Sequence, residues 1–125
     1  MSENQVIKNL KVVLANNYAL FLKTQNYHWN ITGPNFKPLH SLFEEQYDDL
    51  FTANDEIAER IRSLGEKVPA TFTIFNHATS IKDGNETSDA VSMVKELAHD
   101  QEILIESLKE TFKAAQDADD EVTIG

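Results

Sequence analysis

Two apolar stripes at helical spacing, meeting at one tight break, confine this chain to a hairpin of long helices. Ahead of the break, Ile7, Leu10, Leu14, Phe21 and His28 recur at regular steps with no Pro or Gly between them, which predicts a helix over 6–30. Val13, Leu20 and Tyr27 widen its stripe, as in a helix that touches more than one neighbour. The break itself, Thr32-Gly33-Pro34-Asn35, is too short for anything but a turn between antiparallel helices. After it Phe36, Leu39, Phe43, Tyr47, Leu50, Ile57, Ile61 and Leu64 repeat at the same period. A second helix is therefore expected over 36–65, with Gly65 as its C-terminal stop.

The polar residues of the second helix are as ordered as the apolar ones. His40/Glu44 and Asp55/Glu59 are i,i+4 pairs, and residues so spaced sit one above the other. At about 100° per residue, setting His40 to 0° puts Glu44 near 40°, Asp55 near 60° and Glu59 near 100°. All four share one stripe, roughly 120° from the apolar arc by the same arithmetic. Yet His40 and Asp55 are roughly 22 Å apart along the axis at 1.5 Å per residue. No single metal centre spans that distance. An antiparallel copy of the helix, related by a two-fold axis, would set His40/Glu44 of one chain opposite Asp55/Glu59 of the other, beside an apolar seam of Phe51 and Ala58. Such an isologous contact makes two equivalent sites. His28, one turn-crossing before His40, is a further candidate ligand; taken alone, a histidine on a core-facing stripe reads as a hydrogen-bonded core residue. Asp48, Asp49 and Glu56 read as solvated positions.

The pattern His28-Trp29-Asn30, Gly33, Phe36, Leu39-His40, Phe43-Glu44, Asp55, Ala58-Glu59-Arg60-Ile61 and Leu64-Gly65 resembles that of the Dps family, the mini-ferritins named for DNA protection in starved bacteria. The resemblance runs over nearly the whole of 1–125. It implies an all-α fold, a ferritin-like antiparallel four-helix bundle, in a single domain. It implies two-fold dimers assembling into a dodecameric shell that oxidises Fe(II), usually with hydrogen peroxide, and stores the ferric mineral. By position, His28, His40 and Glu44 would come from one subunit and Asp55 and Glu59 from its mate, forming a di-iron ferroxidase centre. Glu44 stands where relatives often have Asp. Trp29, beside the site, would be an electron donor in peroxide reduction or, equally, an aromatic packing anchor. Zinc or manganese suits the same oxygen and imidazole ligands, since affinity order alone does not select iron.

Composition narrows the alternatives. The chain of 125 residues is 41% hydrophobic, enough for one core. With no cysteine, disulfides, zinc ribbons and Fe–S clusters are excluded. No long apolar run and no signal-peptide pattern occur, so the expected compartment is the cytoplasm, away from the membrane. The net charge of −10 argues against direct contact with nucleic-acid phosphates, and residues 1–5 carry no basic arm. A structural or DNA-protecting shell protein is therefore the alternative reading, and a metal-free helical interaction bundle a third.

Residues 66–86 form the longest irregular segment, punctuated by Pro69 and Asp83-Gly84-Asn85; Phe72, Ile74 and Phe75 within it suit a short amphipathic turn docking at the dimer contact. His77 reads as a surface residue. Thr87 or Ser88 is the expected cap of a third helix, with Asp89 in its first turn, and Met93, Val94, Leu97, Leu104, Leu108 and Phe112 are its buried stripe. Glu96-Leu97-Ala98-His99 matches the Glu-x-x-His motif of ferritin-like di-iron bundles, but those use it twice, and here it reads as a decoy. The stretch 117–125 is an acidic turn followed by the first turn of another helix. In the resembled family acidic residues there line three-fold pores, which places Asp117, Asp120 and Glu121 in that neighbourhood. Three amphipathic helices leave a groove where a fourth belongs, so the fourth helix is expected to be missing from the chain as given.

Overall fold

A computed structural model describes residues 2–118 and 120–124, and among them every regular element is helical: α1 (Ser2–Asn30), α2 (Phe36–Ser63), α3 (Phe72–Ala78), α4 (Ala90–Asp117) and α5 (Glu121–Ile124). The fold is all-α. The central helix is α1, which packs along both α2 and α4 and is crossed by α3. One cluster of buried side chains joins Leu20 and Tyr27 of α1, Phe43 and Leu50 of α2, and Met93, Leu97 and Leu104 of α4. A second, at the other end, joins Val6, Leu10 and Leu14 to Ile61 and to Ala114 and Ala115. Each fully buried Leu, Ile or Phe contributes about 1.5–3 kcal/mol, so these two clusters fix the alignment of the three long helices. The apolar stripe of α4 is wider than α1 covers: Val94, Ile105, Leu108 and Phe112 remain exposed.

Three boundaries differ from the sequence reading. Helix α1 begins at Ser2 rather than residue 6, because its first turn needs no apolar periodicity: nothing there breaks a helix, and Gln5 donates to Asn9 one turn on. Helix α2 ends at Ser63, with Gly65 beyond it at φ 97°, the left-handed position a glycine fills without a Cβ clash. The cap of α4 is Asp89, not Thr87 or Ser88. The Asp89 carboxylate accepts from the Ser92 amide at 2.8 Å. Thr87 is engaged instead by Asn85, whose side-chain oxygen accepts from its amide and hydroxyl. The turn expected at Phe72, Ile74 and Phe75 is α3, capped by Thr71.

Polar groups also cross the helix interfaces. Asn16 donates to Ser107 on α4 and accepts from Thr79 and the Ser80 amide, tying the long loop down. Lys23 is buried and pairs with Asp100 at 2.8 Å and Glu96 at 3.3 Å. Tyr27, fully buried, donates its hydroxyl to Glu96 and accepts from the Asn85 amide. The loop lies so flat on that ring that a Cβ at Gly84 would meet it at 3.0 Å.

Arg60 anchors the turn after α4. Its guanidinium pairs with Asp120 and donates to Thr123, while Asp120 itself accepts from the Thr123 hydroxyl and amide. Burial alone would raise the Asp120 pKa, but the Thr123 hydrogen bonds and the Arg60 charge outweigh it and hold the carboxyl below its ordinary value. A depressed folded-state pKa contributes stability that is present above the unfolded value, about 3.9, and lost as pH falls through the folded one. Protection of the Ile124 amide, which donates to the Asp120 carbonyl, measured against the intrinsic exchange rate at each pH, is therefore expected to hold at neutral pH and to fall only below about pH 3.9. In Asp120→Asn that protection should be lost already at neutral pH. Equal protection in the two proteins would show that the ion pair does not hold α5.

Candidate metal centre

The short turn does the positioning. Tyr27 and Ile31 close α1 with a backbone bond, Gly33 turns the chain at φ 108°, and its carbonyl accepts from Phe36 at the start of α2. Pro38 sits in the first turn of α2, where a missing N–H costs nothing. The last turn of α1 thereby faces the first turns of α2, and His28 meets His40.

The two imidazoles are stacked, with centroids 3.7 Å apart and planes 19° from parallel. Each ring binds the other residue's main chain: His28 Nδ1 lies 2.6 Å from the His40 carbonyl, and His40 Nδ1 lies 2.7 Å from the His28 carbonyl. A carbonyl only accepts, so both Nδ1 atoms carry hydrogen, and in the neutral rings both lone pairs are on Nε2. This arrangement gives the otherwise unpartnered carbonyl of His28, in the last turn of α1, an acceptor's role. It also fixes the tautomer and orientation that a metal-ligating histidine requires from its outer hydrogen bond. Glu44, one turn beyond His40, brings Oε1 to 3.8 Å from His28 Nε2. One donor atom from each of His28, His40 and Glu44 falls within 4.8 Å of the others. Among the described residues this is the one group of three or more such side chains with metal-binding reach.

Aromatic rings frame the pair. Phe36, four residues before His40, stacks on it at 4.9 Å, and Tyr47 meets His28 edge-on at 5.2 Å. Neither was singled out as a site residue from sequence, although both lie on the apolar arc within two turns of His40. Burial raises the Tyr47 pKa above its ordinary value, and the carboxylates of Glu44 and Asp48 push it the same way.

Asp55 and Glu59 are exposed on α2, about four to five turns beyond His40, and are not brought to the histidines within this chain. Trp29 follows His28 but points elsewhere; it is 61% exposed and lines an open cleft of about 970 Å³ between α1, α3 and the loop after it. Glu96 and His99 do not form a site: Glu96 is taken by Lys23 and Tyr27, and His99 is exposed. Asp117 is exposed, Asp120 is committed to Arg60, and the side chain of Glu121 lies outside the described residues.

A helical hairpin carrying two histidines and a carboxylate at its turn, with a third long helix packed along it, defines a ferritin-like protein. The ferritin-like domain family matches residues 7–124. The chain is 40% identical over 119 residues to DNA protection during starvation protein 2 of Bacillus anthracis, covering 95% of this chain and 82% of that one. It is 38% identical to a DNA protection during starvation protein of Brevibacillus brevis, over 88% of this chain and 74% of that protein. Among solved structures, a Dps protein from Bacillus brevis superposes with a TM-score of 0.94 at 36% identity, covering 98% of this chain and 83% of that one. A Dps protein from Vibrio cholerae O1, a member of a broad superfamily of ferritin-like diiron-carboxylate proteins, gives 0.94 at 32% identity over 98% of this chain and 77% of that one. The chain belongs to the Dps family.

Proposed function

We propose that this protein is a ferroxidase that takes up Fe(II), oxidises it with hydrogen peroxide and stores the ferric product in a shell of its own copies, a dodecamer. The observation that carries this reading is the reciprocal His28/His40 arrangement, which commits both Nδ1 atoms to backbone carbonyls and leaves both Nε2 lone pairs uncommitted, with one donor atom each from His28, His40 and Glu44 within 4.8 Å of the others. Imidazole and carboxylate suit Fe(II), and carboxylates favour the harder Fe(III) product. Three donors on one chain leave coordination positions open for peroxide. Asp55 and Glu59 complete the di-iron site from a second chain laid antiparallel along α2. Phe51, 64% exposed, supplies apolar surface for that contact. Glu59 and Asp55 would hold iron there together with His28, His40 and Glu44, and their carboxylates would favour its oxidation. Zinc and manganese compete for the same donors.

The relatives are named for DNA protection. With a net charge of −10, direct phosphate contact is unfavourable, and protection here comes from removing Fe(II) and peroxide together. Among the described residues no helix is long and apolar enough to cross a membrane; the site of action is the cytoplasm, where Fe(II) is available.

Anaerobic Fe(II) with peroxide should give near-ultraviolet ferric absorbance with the native protein. An Asp55→Ala/Glu59→Ala variant should behave like buffer, and plasmid DNA added to the mixture should be nicked in its presence and spared in that of the native protein. Identical absorbance traces from the two proteins would remove the ferroxidase reading.

A further inference from the structure

The rings around the candidate centre continue past it. Beyond the stacked imidazoles, Tyr47 meets His28 at 5.2 Å, Phe21 meets Tyr47 at 6.1 Å, Tyr18 meets Phe21 at 5.7 Å, and Phe75 of α3 meets Tyr18 at 5.2 Å. Each step falls within the range of direct aromatic contact. The row leaves the metal ligands, crosses α1 and ends at the wall of the cleft that Tyr18 and Phe75 line. Phe21 stands between two phenols, both only half-buried. The third tyrosine, Tyr27, is fully buried and held by Glu96 and Asn85, and Trp29 stands outside the row.

We propose that Tyr47, Phe21 and Tyr18 form a relay that carries one-electron oxidising equivalents away from the metal ligands to the cleft. The proposal rests on the ferroxidase reading, which supplies the oxidant. When peroxide takes a single electron from Fe(II), its O–O bond breaks to hydroxide and hydroxyl radical. Tyr47 gives that radical a hydrogen atom: its phenolic O–H breaks, an O–H of water forms, and Tyr47 is left a phenoxyl radical. One electron then passes from Tyr18 to Tyr47 across the Phe21 ring. Tyr18 releases its phenolic proton to water, and Tyr47 regains one from water. A thiol restores Tyr18 by donating a hydrogen atom, the odd electron remaining on sulfur. The metal-binding imidazoles are thereby spared, since both lie one ring contact or two from the phenol that reacts first.

The test is electron paramagnetic resonance on full-length protein, freeze-quenched after Fe(II) and peroxide are mixed anaerobically, with ferric absorbance followed in the same samples. With only three tyrosines in the chain, single Tyr→Phe variants assign the signal. The native protein should show a tyrosyl signal that Tyr18→Phe shifts to the line shape of Tyr47, that Tyr47→Phe removes, and that Tyr27→Phe leaves unchanged. Phe21→Leu, which keeps an apolar side chain there, should hold the signal on Tyr47. Normal ferric absorbance with no tyrosyl signal, or a signal lost in Tyr27→Phe, would overturn the relay and leave the ferroxidase reading intact. Failure of ferric absorbance in the native protein would overturn both.

Discussion

Mixed in equal amounts and refolded together, a His28→Ala/His40→Ala chain and an Asp55→Ala/Glu59→Ala chain are expected to recover ferroxidase activity that neither has alone. Each variant by itself should fall by at least about 100-fold, since even second-sphere changes at metal sites cost 10–100-fold. The recovery follows from symmetry. An isologous two-fold contact makes two sites, each with histidines from one chain and acids from the other. In a mixed dimer one site combines both defects and its twin combines neither. Random pairing makes half the dimers mixed, so about a quarter of all sites should be whole, and Fe(II) oxidation should return to about that fraction of native. Titration of Fe(II) binding should give the same fraction. No recovery from soluble mixed dimers, in the face of full activity from native chains treated alike, would mean that the acids and histidines do not work across a subunit contact. The exposure of Asp55 and Glu59, and their position several turns beyond His40 on the same helix, are what make the experiment decisive. No rotamer change carries them to the Nε2 atoms of their own chain.

Most of the hairpin was readable because it is written in period. The stripes ending at His28 and starting at Phe36 meet across a turn whose glycine takes a positive φ, and a turn that short leaves His28 and His40 little choice but to meet. The ligand stripe His40/Glu44 needed only the helical repeat. What period cannot give is the direction of a ring. That each imidazole would bind the other's carbonyl depends on the approach of two backbones, which no spacing encodes. The cap of α4 was misplaced because Thr87, Ser88 and Asp89 are all competent caps, and the choice falls to the one whose amide partner is three residues on inside the helix. Lys23 was passed over for a different reason. A lysine on an amphipathic helix is normally solvated, and only the arrival of Asp100 and Glu96 from α4 makes its burial tolerable.

That burial sets up the largest stability effect expected in the molecule. Lys23 and Asp100 are each only 5% exposed at the side chain, and their charges lie 2.8 Å apart. Burial pulls the Lys23 pKa down, but the hydrogen bonds and charges of Asp100 and then Glu96 outweigh it, so the ammonium is held above its ordinary value. Lys23→Ala removes the cation and leaves Asp100 buried without a counter-charge. The cost of breaking a buried pair in this way is about 3–5 kcal/mol, against a total stability of about 5–15 kcal/mol for an ordinary domain. Urea unfolding should show that loss as a lower midpoint with an unchanged slope. Replacing both partners, Lys23→Met with Asp100→Leu, should recover most of it, because an apolar pair of similar volume often matches a buried ion pair. Glu96 survives the exchange, being 40% exposed at the side chain and still bonded to Tyr27. The two proteins then part at high pH. A raised lysine pKa contributes stability that is fully present below the unfolded value, about 10.4, and lost as pH climbs through the folded value above it. The native protein should therefore lose this increment at strongly alkaline pH while the Met/Leu pair does not. Should Lys23→Ala unfold at the native midpoint, the pair would be a bystander and the α1–α4 contact would rest on its apolar cluster alone.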